Sequence, residues 1–596
     1  GIAGVSVLNR NTGQSISTDT EGKFSIDASM GDILVFSFVG YVRQEHKVES
    51  TAVVQIVLRQ EEMKMDQVVV TALGIRQSVK ALTYNVQEFK GEEVTRNKDA
   101  NFVNSLTGKI AGVTINSSSS GIGGATRVVM RGTKSIAGNN NALYVIDGIP
   151  IPNNNGGGTN GPFEGVVSGE GISSFNPEDI ESITALTGPS ATALYGNQGA
   201  NGVLLVNTKK GTRGDIEGLF GNLRVNVSHS SDFFSPFVMP RFQNTYGQSN
   251  PQEYASWGAK LPQPSDYRPR DFFQTGYNIS NAASIAGGTD RSQTLFSVGT
   301  NNAEGIIRNN TFDRYNFYLR HNAQLSDRLT ADFSGMYVRL KDNNMVAQGQ
   351  YQNPIVPVYL FPPGDDFRKY QVYSRYDPNR LIETQFWPYQ DQGLGMQNPY
   401  WITDAQSRTS NTDRYMMSVT ANYKVTDWLN VTGRVRIDNS VLESETKRPA
   451  GTWGLFASEF GYYQTGKTTT KNTYLDLIAS TKHSFAEDRF SLRTNIGGSY
   501  QHDRLDGLGA GGNLIRLANF YSVQENTDNP ATQSYSATQL QSVFATTQLG
   551  YQNWLFMDLT GRYEWPSQLP PDLATTSSYF YPSVGISGVI SDQWNI

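Results

Sequence analysis

The sequence has no cysteine, only five histidines and 17% charged residues. The missing cysteines exclude a disulfide framework, a thiolate metal site and a Cys nucleophile. His46, His229, His321, His483 and His502 never fall at H-x-x-x-H spacing, which argues against zinc or Ser-His-Asp chemistry. No metal, no cofactor and no catalytic residue is therefore expected. The net charge of -5 is spread along the chain without a basic block, so a nucleic-acid partner is excluded. Long apolar runs are absent too. The longest, Ile33 to Val42, is interrupted by Ser37 and Gly40 and falls short of the roughly 18 residues that a spanning helix needs. If the chain crosses a membrane, only a closed β-barrel can satisfy its backbone there. It starts at Gly1 with no charged or apolar leader, so any signal peptide is expected to have been removed already.

What is abundant points the other way. The 30 Tyr, 29 Phe and 58 Gly among 596 residues predict aromatic-rich strands joined by many turns, in several domains or one large barrel with attachments. Residues 1–60 hold short apolar runs, Val5 to Leu8, Lys23 to Ile26, Ile33 to Val39 and Val53 to Leu58, separated by turn residues and read as a small β-sandwich. Residues 61–75 form a polar linker around Asp66, Gln67, Val68, Val69, Val70, Thr71 and Ala72. This extended, β-branched run with no obvious hairpin partner suits strand addition to another protein's sheet edge. An ordinary internal strand is the alternative.

Residues 76–211 mix helix-compatible and strand stretches. Leu106 to Val113, Val129 to Gly132, Leu143 to Ile151, Asn176 to Ile183, Gly188 to Gly196 and Gly199 to Val203 stand out as glycine-punctuated apolar phrases that can pack as a compact core. Arg131 is read as pairing with a carboxylate.

From residue 212 to 596 the chain repeats strand, short turn, strand, long polar loop. Leu325 to Leu329, Val425 to Leu429, Phe485 to Phe490, Tyr551 to Leu555 and Ile590 to Trp594 are the short turns. Alternation flanks them: Tyr415, Met417, Val419 and Tyr423 oppose Met416, Ser418 and Thr420, and Val435 and Ile437 oppose Arg434, Arg436 and Asp438. One face suits lipid and the other water. Tyr337, Trp428, Trp554 and Tyr563 fit interfacial girdles. About twelve strands are expected between Leu223 and Ile590. Because the last turn runs into Trp594, Asn595 and Ile596, the barrel is expected to be C-terminally incomplete, and the sandwich to begin one strand late.

The ordered phrases between Leu106 and Val203, with Thr18 to Ile26, Phe38 to Tyr41 and Asp66 to Ala72, resemble the SusC/RagA-type TonB-dependent outer-membrane transporters. The resemblance implies a mainly β chain: a carboxypeptidase-regulatory-like sandwich (1–60), a TonB-box linker (61–75), an α+β plug domain (76–211) and a transmembrane antiparallel barrel (212–596) of about 22 strands in the family. It also implies active import of an oligosaccharide or oligopeptide across the outer membrane of a Gram-negative, Bacteroidota-like bacterium. The implied partners are TonB with ExbB and ExbD, a SusD-like surface lipoprotein acting as a lid, and outer-membrane lipids, with two transporter–lid pairs joining as a dimer. TonB would bind Asp66 to Ala72.

The remaining motifs fail on context. Gly461 to Thr468 matches the phosphate-loop spacing but leads into an alternating strand rather than a helix. Gly156 to Gly161 sits between Pro152 and Pro162 and reads as a loop, not a dinucleotide turn. Glu61/Glu62 and Asp365/Asp366 are sequence neighbours that point apart, unlike a glycosidase dyad. The long loop from Lys341 to Asn411 is rich in aromatics interleaved with charges. Tyr373, Tyr376, Phe386, Trp387 and Tyr389, with Asp365 and Asp366, are the candidate substrate contacts, since rings with polar groups between them grip sugars or peptide side chains. The alternative is that these rings pack the loop's own core. A passive or adhesive barrel is the second functional reading, and a surface hydrolase the third.

Overall fold

The computed structural model describes the chain except residues 39–40, 42–43, 51, 59–67, 71–75, 97, 137–138, 152–164, 167–170, 188–192, 213–215, 219–220, 237–243, 251–253, 255–257, 363, 390–395, 529–530, 570–577 and 591–596. The glycine run 156–161, the acidic pair Glu61/Glu62, the segment from Gly188 to Thr192 and the last three residues therefore lie outside the described residues.

The N-terminal unit is built on one four-stranded antiparallel sheet, with Ser6–Asn9 between Ser15–Ser17 and Ile33–Ser37, and Gln44–Lys47 at the edge. Alternation buries Val7, Leu34 and Phe36 on one side. A second sheet was expected there. Instead Phe24, Ile26, Ile56 and Leu58 pack on that face from segments outside regular strands. They cover it with side chains alone, which needs no backbone ladder.

The second unit carries the plug and the wall. The plug's five-stranded sheet runs in the order Ile149–Ile151, Leu143–Ile146, Val203–Thr208, Ile180–Leu186, Val86–Lys90. Only the Leu143–Ile146 and Val203–Thr208 pair is parallel, and both strands are buried except at Asn207, as strands covered on two faces must be. Asp147 and Gly148, at φ 49° and 83°, close the tight hairpin into Ile149–Ile151, the left-handed pair that a two-residue turn needs.

The wall is one thirteen-stranded sheet. After the three-residue strand Ile216–Gly218 come twelve long strands in sequence order: Gly221–Phe234, Gly276–Gly288, Ser292–Glu304, Thr311–Gln324, Leu329–Asn343, Ser407–Lys424, Leu429–Pro449, Gly461–Phe485, Phe490–Asn513, Thr532–Tyr551, Leu555–Pro566 and Tyr579–Gly588. All neighbours are antiparallel, as in the unbroken pairing of Leu429–Pro449 with Gly461–Phe485. The short turns at Leu325 to Leu329, Val425 to Leu429, Phe485 to Phe490 and Tyr551 to Leu555 fall at the predicted places, Gly288 to Ser292 adds one more, and Ile590 to Trp594 runs out of the described residues. The segment once considered a phosphate loop lies within the 25-residue strand Gly461–Phe485. The two faces separate cleanly: Met417, Val419 and Ile437 are about half exposed while Arg434, Arg436 and Asp438 are buried. No described helix is long and apolar enough to cross a membrane.

Candidate functional site: the plug-wall seam and the long loop

The polar face of the wall, which by alternation suits water, packs against the plug. Val94, Phe102 and Ile146 of the plug share one buried cluster with Phe312, Tyr318, Met336 and Met416 of the wall. Between these apolar contacts the wall sends buried arginines to plug backbone carbonyls. Arg314 Nη1 donates to Ala100 O at 2.9 Å and Ser173 O at 2.8 Å. Arg436 donates to Ile149 O at 3.2 Å and to Pro150 O. Arg414 donates to Gly171 O, and Arg562 to Leu194 O at 3.1 Å. Arg320 reaches Thr208 O at 3.0 Å and Asp147 at 3.3 Å.

Several of these cations are oriented by wall carboxylates two strand positions or one strand away. Arg414 meets Asp438 through two bonds of 2.8 and 2.6 Å, Arg320 meets Asp332 through two of 2.9 Å, and Arg562 meets Glu564 at 2.8 Å. A bidentate carboxylate fixes the guanidinium plane and leaves its remaining N–H groups aimed at the plug. Glu564 in turn accepts from Asn197 N at 3.2 Å. Gly196 is required at that approach: its φ is 59°, and a Cβ there would stand 1.9 Å from Glu564 Oε1.

The seam also holds a plug carboxyl. Burial pushes Asp179 up to about 6, opposed by the hydroxyl that Ser297 donates to it and by Lys209. Arg131, expected to find a carboxylate, is exposed, sits at φ 57° and contacts Thr187 Oγ1 at 3.5 Å. The arginines that clasp the plug come from the wall instead. Their sequence signal was present in the Arg-x-Arg-x-Asp of residues 434 to 438, whose alternation gave the face but not the occupant.

Toward the plug's far side a cavity of about 730 Å³ separates plug from wall. Its lining is rich in amides, including Asn139, Asn141, Gln198, Asn201, Asn472 and Gln501.

The long loop spans residues 344–406 between the strands Leu329–Asn343 and Ser407–Lys424. Its rings form a core shared with Tyr267 and Phe272 from the segment before Gly276–Gly288. Phe361, fully buried, lies 5.0 Å from Phe367, 5.6 Å from Tyr389 and 6.1 Å from Trp387 between ring centroids. Asp365 is drawn into this cluster, accepting from Lys369 Nζ at 2.7 Å, Tyr389 Oη at 2.5 Å and Tyr370 Oη. Burial would raise its pKa, but these bonds outweigh it and hold the carboxyl below its ordinary value. Burial and the same carboxylate push both tyrosines up. Of the candidate contacts, Trp387 and Tyr389 are buried in this core, and Phe386 and Tyr373 pack against it. The Arg375 guanidinium covers the Phe386 ring at 3.2 Å. Asp366 caps the turn at Phe367–Gln371. Tyr376 is exposed on the hairpin of Ser374–Asp377 with Ile382–Gln385. In the linker, Asp66, Gln67, Thr71 and Ala72 lie outside the described residues, while Val68–Val70 is a short strand paired with Arg76–Ser78, so the run does have a local hairpin partner.

A plug clasped inside a strand wall defines a class, the plugged outer-membrane barrels, and comparison with known proteins agrees. The profile of the TonB-dependent Receptor Plug Domain matches residues 78–203, and that of the CarboxypepD_reg-like domain matches residues 1–70. The TonB-dependent receptor SusC of Bacteroides thetaiotaomicron is 29% identical over 71% of this chain and 41% of its own length. TonB-dependent receptor P26 of Formosa agariphila is 27% identical over 99% of this chain and 57% of its own. The chain spans about half the length of these curated relatives. The RagAB peptide importer in its open-open state superposes with a TM-score of 0.65 at 17% identity, over 89% of this chain and 59% of that one, which speaks for the fold alone. The two N-terminal domains match those of TonB-dependent receptors, and along its length the chain is similar to the SusC-type members of that group.

Proposed function

We propose that the protein imports an oligosaccharide or oligopeptide across the outer membrane, with TonB drawing on residues 66–72 to displace the plug. The observation that carries this reading is the seam. It covers much of the inner side of the described wall, yet part of its hold is hydrogen bonding to backbone carbonyls, and each such bond is worth only about 1 kcal/mol net because water replaces it. A passive pore has no use for an obstruction of this kind. A pull transmitted through the linker can unseat it bond by bond, and water entering the seam satisfies what is released.

The loop of residues 344–406, on the side opposite the short turns, faces outward in this reading. Its buried rings stiffen a platform on which the hairpin bearing Tyr376 stands, and a SusD-like lid would close over that side. Candidate cargo contacts are then Tyr376, Tyr373 and Phe386 at the surface of the platform, with Trp387, Tyr389, Asp365 and Asp366 shaping it. Deletion of residues 66–72 is expected to abolish cargo uptake by whole cells while leaving surface display and cargo binding intact. Uptake that survives the deletion would favour a passive or adhesive barrel.

A further inference from the structure

One row of the wall meets the plug in the opposite sense to the arginines. Gln548, Asp558 and Gly585 stand directly opposite one another on the neighbouring strands Thr532–Tyr551, Leu555–Pro566 and Tyr579–Gly588, so they lie side by side on one face of the sheet. Here the wall offers a carboxylate and the plug supplies a donor. Thr83 Oγ1 donates to Asp558 Oδ2 at 2.8 Å. Gln548 Nε2, on a side chain only 7% exposed, donates both to Ala81 O at 2.8 Å and to Asp558 Oδ1 at 2.9 Å. Gly585 leaves room for the approach, since a Cβ there would run into Thr83 Oγ1. Bonds to a carboxylate are stronger than neutral ones, and bonds that share a partner support one another. Ala81 and Thr83 are therefore held, and released, as a unit.

The place of these two residues in the chain gives the unit its meaning. The plug groups that the wall arginines hold begin only at Ala100. Ala81 and Thr83 come earlier, after the linker of residues 61–75 and before Val86–Lys90, the edge strand of the plug sheet. Gln548 and Asp558 lie close to the two sides of the short turn Tyr551 to Leu555, the end of the wall opposite the long loop. A pull that enters through the linker runs along the backbone into Ala81 and Thr83 before it can reach the sheet. An edge strand, paired on one side only, is the part of a sheet most readily stripped, and here it stands behind the three linked bonds.

We propose that the row of Gln548, Asp558 and Gly585 is a catch on the first segment of the plug: it takes a pull on the linker ahead of the plug sheet and sets the force at which the plug begins to open. Below that force, motion of the linker stops at Thr83. Thr83, Gln548 and Asp558 are positioning residues in this device. The proposal rests on the import reading above, in which TonB draws on residues 66–72.

The test applies the pull without TonB. This sequence has no cysteine, so Asp66→Cys supplies a handle for single-molecule force spectroscopy on the full receptor in a lipid bilayer. The expected trace shows an early rupture, separate from and before the unravelling of the plug sheet. Thr83→Val, which removes the hydroxyl and keeps the side chain's size, should make that early rupture at least tenfold faster at a fixed force, and Asp558→Ala and Gln548→Leu should do the same. Thr83→Ser keeps the hydroxyl and should behave as the parent. Lys467→Gln, at an exposed pair with Glu443 elsewhere on the wall, should change nothing. If the Gln548 or Asp558 variant fails to assemble, the Thr83 pair decides the matter, because Val and Ser differ there in the donor that reaches Asp558. A trace in which the plug sheet gives way with no earlier rupture overturns the proposal, as does an early rupture that Thr83→Val leaves unchanged. Because the handle replaces TonB, these outcomes are separate from the loss of uptake that tests import itself.

Discussion

The inner face of the wall and the long loop both remove charge from water, and they do it in opposite ways. At the wall, arginines oriented by carboxylates meet backbone carbonyls of the plug. In the loop, one carboxylate is surrounded by tyrosine hydroxyls inside a cluster of rings. The first is an interface that water can enter and replace. The second is a hydrophobic core that water cannot. On the import reading, a plug that is displaced and reseated is better served by the first, and a platform that keeps its shape by the second.

The contrast predicts unequal damage. Phe361→Ala removes the ring at the centre of the loop core and should destabilise the loop by about 3–5 kcal/mol. Limited proteolysis should then cut within residues 344–406, while the wall keeps its resistance to unfolding in detergent. If the wall unfolds together with the loop, the two are not the separate structures described here.

Arg436→Met addresses the seam. It strands the carbonyls of Ile149 and Pro150 in a buried place, at a cost of about 1–3 kcal/mol. Hydrogen exchange should rise in Ile149–Ile151 and its neighbours in the plug sheet, with the loop unchanged. Unaltered exchange in the plug would mean that the apolar cluster, not the arginines, seats it.

The smallest expected effect concerns pH. The Asp179 carboxyl is raised to about 6 by burial, so the folded seam favours its protonated form. That contribution is fully present below the ordinary carboxyl value near 4 and is lost as pH rises through about 6. The denaturation midpoint attributable to the plug should therefore fall between pH 4 and pH 7, and Asp179→Asn should flatten this component. An unchanged slope in the variant would assign the effect to another group.

Much of the wall was legible in advance because side chains in a strand alternate with a period of two. Tyr415, Met417 and Val419 against Met416 and Ser418 declared two faces without any knowledge of neighbours. The short turns were equally visible, Leu325 to Leu329 among them, since a brief polar interruption between alternating runs leaves the chain little choice but a hairpin. The N-terminal sheet was half legible. Lys23 to Ile26 and Val53 to Leu58 alternate like strands, yet they contribute partly buried side chains without joining a ladder. Alternation reports burial on one side and is silent about backbone pairing.

Composition singled out the rings of the long loop as candidate contacts but carried no information on which way each ring turns. Phe386, Trp387 and Tyr389 are consecutive or nearly so, and composition cannot tell a ring turned outward to cargo from one turned inward to Phe361.

The sequence by itself determined the alternation of the wall, the places of its turns and the phrases of the plug, all of which are local properties of covalent geometry and side-chain polarity. Only the tertiary structure decided that the polar face of the wall would be covered by plug backbone. Arg436 and Ile149 stand 287 residues apart, and a carbonyl carries no side-chain identity by which a sequence could announce its partner.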